Sequence, residues 1–210
     1  MDIKKVRQKA FELFEKMSHF KDFRSFIEDD FFTDDFVNEL CDSDICYNSG
    51  CTRYVFWNET DCDYVYKINF KEAADYCKKE AENYELAREC GIEDMFAECA
   101  YVLTYEGRDI YAMEFANVDD NQTCSDLREK MESSSHLSEE EIDHILYNLN
   151  GCDIVNELLN YYYSFNMIKR FNWLCCRNQI NDIHDCNVGY IDDRLVIIDY
   201  AGYGSFKALF

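Results

Sequence analysis

Three oxygen-bearing residues late in the chain, Asp182, Asn187 and Asp199, have the types and spacing to hold a divalent cation. NDIHDCN carries the first two on one loop, and Asp199 follows the apolar run LVII. A carboxylate and an amide oxygen on a loop, joined by a carboxylate at a strand end, can converge on magnesium or manganese. Such hard cations take oxygen ligands and keep phosphate oxygens in their shell. A further carboxylate beside the metal can accept a proton from an attacking hydroxyl. Asp and Asn are also ordinary turn formers, so the same residues could serve the loop alone. Upstream, Lys67 lies inside the β-patterned run DYVYKINF, between apolar neighbours, where an ammonium needs a partner. Glu80, one helical turn before Tyr84, can face back toward that strand, and Glu82 is an alternative. The competing reading of Lys67 is a lysine snorkelling from an edge strand.

The elements that position these residues follow from periodicity. Ile3, Val6, Ala10, Phe14 and Met17 share one face of a helix expected over 2–22, and Thr33 caps a short helix bearing Phe36, Val37 and Leu40. From about residue 44 the period changes to DICYNS, TRYVFWN and DYVYKINF, three strands with turn residues at 48–50 and 58–63. A helix over about 71–90 ends at Gly91, followed by ECAYVLTY and DIYAMEF, an antiparallel pair turned at Glu106-Gly107. Beyond NVDDNQ the pattern is helical. Ser138 and Glu141 form a capping-box signal, and one helix is expected over 152–175 with Ile154, Val155, Leu158, Leu159, Tyr162, Phe165 and Ile168 on a wide apolar stripe. NVGYI and RLVIIDY close the pattern as a hairpin around Asp192-Asp193. An α+β class follows, with five strands, a helix after the third, and a mostly helical second half.

This order of parts over residues 44–204 resembles the protein kinase-like superfamily. NSGCTRYVFWN is similar to a reduced glycine-rich loop with Gly50 its only glycine, Lys67 to the phosphate-binding lysine, and Glu80 to the helix glutamate that aligns it. YAMEFAN resembles the strand and hinge that hold adenine, with Met113 as gatekeeper and Glu114, Phe115 and Ala116 as hinge backbone. DIHDCN resembles the aminoglycoside-phosphotransferase catalytic loop, which makes Asp182 the catalytic residue and Asn187 a metal ligand. IDYAG stands in for Asp-Phe-Gly, with Asp199 as second metal ligand. The resemblance implies a two-lobed kinase-like fold: a helical extension over 1–43, a five-stranded antiparallel N-lobe over 44–116, and a reduced, mostly helical C-lobe over 117–210. It implies ATP with magnesium or manganese in the cleft between lobes, and phosphotransfer to a hydroxyl acceptor. Ile180 and Asn181 depart from the family's His-Arg pair, and Ala201 stands at the motif's glycine with Gly202 after it. The chain ends 11 residues after Asp199, so the helices of the usual substrate platform are expected to be missing.

Charge adds a second reading. The net charge is −22, and residues 28–44 hold eight acids and no base. Phosphate would be repelled, which argues against direct nucleic-acid binding. An acidic surface suits a basic partner, such as a nucleic-acid-binding host protein, and an inactive pseudokinase scaffold of phage type would fit this composition. An oligomer supplying the missing platform in trans is a third reading. The 12 cysteines show no C-x-x-C pair, so reduced thiols are expected rather than disulfides or zinc sites. MDIKKVRQKAFELFEKM is amphipathic without the apolar core of a signal peptide, and no apolar run approaches the ~18 residues that span a bilayer. A soluble protein of the cytoplasm is expected, the host's if phage-encoded.

Overall fold

The computed structural model describes residues 1–202, apart from the side chain of Asp120. The last part of the expected C-lobe, residues 203–210, lies outside the described residues. The class is α+β: eight α-helices, a five-stranded antiparallel sheet and a two-stranded hairpin among the described residues. The chain divides into two units, a sheet unit (Met1–Glu82 with Glu98–Phe115) and a helical unit (Asn83–Ala97 with Ala116 onward).

The sheet unit contains α1 (Ile3–Ser18), α2 (Phe23–Asp29), α3 (Asp34–Cys41), β1 (Ile45–Ser49), β2 (Arg53–Asn58), β3 (Asp61–Asn69), β4 (Cys99–Tyr105) and β5 (Arg108–Glu114). It also includes α4 (Tyr76–Glu89) as far as Glu82. The strand order is β1-β2-β3-β5-β4. Alternation sorts the side chains. Tyr54, Phe56, Tyr66, Ile68, Ile110 and Ala112 belong to the core shared with α1–α3, while their sequence neighbours Arg53, Lys67, Tyr111 and Met113 take the opposite face. The shared core is largely aromatic: Phe26 has the rings of Phe32, Phe36, Tyr54 and Phe56 at 5.1–5.4 Å. The single helix expected over 2–22 stops at Ser18. Asp22 takes a left-handed conformation (φ 61°) and redirects the chain so that Phe23 and Phe26 reach the core that Phe14 already fills. Buried Arg108 ties this layer to the sheet, donating to the Ile27 carbonyl at 3.0 Å and to Asp30 at 2.7 Å. The Asp30 carbonyl in turn accepts the Tyr54 hydroxyl at 2.9 Å.

The helical unit holds the rest of α4, then α5 (Asp120–Ser134), α6 (Glu139–Asn148), α7 (Gly151–Tyr162), α8 (Phe165–Asn178), β6 (Val188–Ile191) and β7 (Arg194–Ile197). The capping box predicted at Ser138 and Glu141 is present, and Asn150 with Asp153 makes a second. The single helix expected over 152–175 is two. Tyr163 is extended, Ser164 accepts the Met167 N–H to start α8, and the break lets the Tyr163 hydroxyl donate to the Asp94 carbonyl at 2.7 Å. At about 100° per residue, an unbroken helix would carry Leu158 and Leu159 on one side and Phe171 and Leu174 on a side roughly 140° round from it. The break lets the two pairs be buried by differently directed helices. No helix among the described residues is long and apolar enough to cross a membrane.

Candidate functional site

In the sheet unit, Lys67 sits on β3 between Val55 of β2 and Tyr111 of β5, on an inner strand rather than an edge. Its Nζ donates to Glu80 Oε2 at 3.0 Å, and Glu80, on α4, is fully buried. Glu82 is exposed and lies 3.9 Å from Lys78, so Glu80 is the partner. The other oxygen of Glu80, Oε1, lies 2.9 Å from Arg53 Nη1. One carboxylate thus holds two cations, each exposed by less than a tenth. Arg53 was not singled out from the sequence. The signal was there: counting by two back from Val55, which is paired to Lys67, puts Arg53 on the same face.

The surroundings are dry. Burial pushes the Cys77 thiol up to about 12, with the Glu80 charge adding to the rise and Arg53 opposing it. Burial likewise raises Cys99 well above the ordinary thiol range. Met113 is buried on β5 between Val65 and Cys99. Glu114 pairs with Glu98 twice, donating its N–H to the Glu98 carbonyl at 3.0 Å and accepting the Glu98 N–H on its carboxylate at 2.9 Å. The Phe115 N–H is taken by the Asp63 carbonyl at 3.0 Å. Gly50 joins none of these contacts. Its N–H donates to the Arg53 carbonyl at 3.0 Å, closing the β1–β2 hairpin, and a Cβ there would meet nothing nearer than 3.9 Å.

In the helical unit, the loop from Asp182 to Asn187 is knotted by its own side chains. Asn187 Nδ2 donates to the Asp182 carbonyl at 2.7 Å and lies 3.1 Å from His184 Nε2. The amide nitrogen is therefore committed to the loop, which leaves Oδ1 as the acceptor of that side chain. The Cys186 N–H donates to His184 Nδ1 at 3.2 Å, so His184 acts as the loop's organiser. Asp182 itself is exposed. The residue before Asp199 joins this loop: the Ile198 N–H donates to the Asn187 carbonyl at 3.0 Å, extending the β6–β7 ladder by one step. The next residue, Tyr200, is fully buried, with its hydroxyl on the Ala97 carbonyl at 2.5 Å and its own carbonyl accepting Asn83 Nδ2 at 2.7 Å. Gly202 has φ +73°, and a Cβ there would lie 2.6 Å from the Asn178 carbonyl oxygen. Asn117 pairs in both directions with Tyr190 at 2.9 Å, across Gly189, where a Cβ would come within 2.8 Å of the Asn117 carbonyl. Among the described residues, the Ala116 N–H, just before that pairing, has no acceptor.

Comparison with protein-family models and with curated proteins finds no match to this chain.

Proposed function

We propose that this chain is a kinase-like, two-lobed protein that binds ATP with magnesium or manganese. The observation that carries the reading is the buried Lys67–Glu80 pair on an inner strand, with Arg53 on the second carboxylate oxygen. A buried lysine aligned by a buried glutamate is costly to desolvate and is of use where an anion such as phosphate must be met by fixed charge. Three further features support it: the Asn187 amide nitrogen turned into its loop, the ladder step by which Ile198, next to Asp199, joins the same loop, and the Ala116 N–H, without an acceptor among the described residues, in the segment expected to meet adenine. Lys67 would hold the α- and β-phosphates, Asn187 Oδ1 and Asp199 the metal, and Met113 and Glu114 to Ala116 the base. Bound ATP would supply the phosphoryl group. Asp182, exposed at the loop's start, would orient a hydroxyl acceptor and take its proton.

The test is a thermal-shift titration with ATP, with and without magnesium or manganese, on the wild type and Asp199→Ala. At 100 times Kd a bound ligand adds about 2.7 kcal/mol, a rise of roughly 5–11 °C for a chain of this size. A metal-dependent rise absent from the variant supports the reading. No rise in the wild type refutes it and turns the search to basic partners of the acidic 28–44 segment.

A further inference from the structure

We propose that His184, Asp185 and Cys186 form a separate site for a thiophilic divalent cation, with zinc as its natural chemistry. Their ligand atoms lie within 4.8 Å of one another. Two edges of that triangle can be compared with a real coordination sphere: His184 Nδ1 to Asp185 Oδ1 is 3.5 Å, and Asp185 Oδ1 to Cys186 Sγ is 3.8 Å. Zinc takes nitrogen and oxygen at about 2.0–2.2 Å and sulfur at about 2.3 Å, so neighbouring ligands of a tetrahedron stand about 3.3–3.6 Å apart. The loop therefore needs only a small contraction on those two edges, while the third is bounded at 4.8 Å.

The donor set selects the metal. Imidazole and thiolate suit zinc, whereas magnesium takes oxygens, so this trio and the oxygen set of Asn187 and Asp199 favour different ions and share no side chain. Two neighbours reinforce the site. Asp182 Oδ1 lies 3.7 Å from His184 Nε2, on the ring edge away from Asp185, where a carboxylate can orient a metal-bound imidazole. Gly151, the first residue of α7, leaves room for the Asp185 carboxylate, into which a Cβ at that position would run. Binding has definite costs. The metal displaces the Cys186 N–H from Nδ1 and leaves it to Asp185 Oδ1, which already accepts it at 3.1 Å. Nε2 carries the ring hydrogen with or without the metal, so its contact with the Asn187 Nδ2 donor is no hydrogen bond in either state. The Cys186 thiol gives its proton to solvent as the sulfur–metal bond forms, and water fills the fourth position.

The inference stands apart from the nucleotide reading and is tested without nucleotide. The probe is cobalt(II), titrated into the reduced 210-residue chain, where a thiolate ligand produces a near-ultraviolet charge-transfer band. Saturation at one equivalent, loss of the band in Cys186→Ser, and at least ~10-fold weaker binding in His184→Ala are expected, with displacement by zinc but not by magnesium. Cys186 is exposed, so the serine variant should keep its fold, which circular dichroism verifies. A wild type with no band, or a band that survives in Cys186→Ser because other thiols carry it, would overturn the assignment.

Discussion

Glu80→Gln removes a charge and almost no volume from the centre of the sheet unit. In the wild type, one fully buried carboxylate faces Arg53 at 2.9 Å and Lys67 at 3.0 Å. Breaking a buried ion pair by removing one partner costs about 3–5 kcal/mol, because the remaining charge stays desolvated. Here two cations lose the same partner and then repel each other, so at least ~3 kcal/mol is expected. At roughly 2–4 °C per kcal/mol, the midpoint should fall by at least about 6 °C. Urea unfolding followed by Trp57 fluorescence, in a Trp173→Phe background, reports on the sheet unit, since Trp57 lies on β2. Lys67→Met and Arg53→Met should each cost less, because each leaves Glu80 with one cation. Replacing all three by apolar side chains should recover most of the loss, because no charge then remains to be desolvated. A loss within about 1 kcal/mol for Glu80→Gln, the size of an exposed pair, would refute the account of this trio.

Two other expectations concern buried thiols and a constrained glycine. Burial raises the folded-state pKa of Cys77 to about 12, above its ordinary value near 9, and raises that of Cys99 as well. The unfolded chain therefore loses these protons first, so stability is intact below about pH 8.5 and falls as pH rises toward 12, by up to ~1.4 kcal/mol per pH unit for each thiol. Alkylation of the native protein at about pH 8 should modify the exposed Cys41, Cys51, Cys62, Cys152, Cys176 and Cys186 and spare Cys77 and Cys99; equal labelling rates would contradict the burial. Gly202→Ala, with φ +73° and a Cβ 2.6 Å from the Asn178 carbonyl oxygen, should destabilise the helical unit by roughly 2–3 kcal/mol, read by urea unfolding followed at Trp173. Gly50→Ala, with open space around it, should cost no more than about 0.5 kcal/mol, and equal effects would refute the packing argument.

Much of the chain was legible because its signals are local. The Thr33 cap, the Ser138–Glu141 box and the Glu106-Gly107 turn each depend on residues a few positions apart, and all are present. The two helix errors share a cause. Periodicity alone runs on through Asp22 and Tyr163, yet at both positions the chain bends so that side chains on either side can reach a core that lies off the helix axis. The site was legible in part. Lys67 on an inner strand could be suspected from an ammonium flanked by apolar residues, but the choice between Glu80 and Glu82 needed the phase of α4, which starts at Tyr76 rather than near 71.

By itself, then, the sequence determined the α+β class, the order of strands and helices, and the residue types that could bind a cation or a phosphate. Each is set by alternation, capping or turn chemistry within a few residues. Tertiary structure alone decided that Arg53 shares Glu80 with Lys67, that the Asn187 amide nitrogen turns into its loop, and that Gly202 must lack a side chain. These depend on contacts between residues far apart in sequence or on the packing of one loop, where burial and close approach, rather than local preference, choose among conformations that the sequence alone leaves equally open.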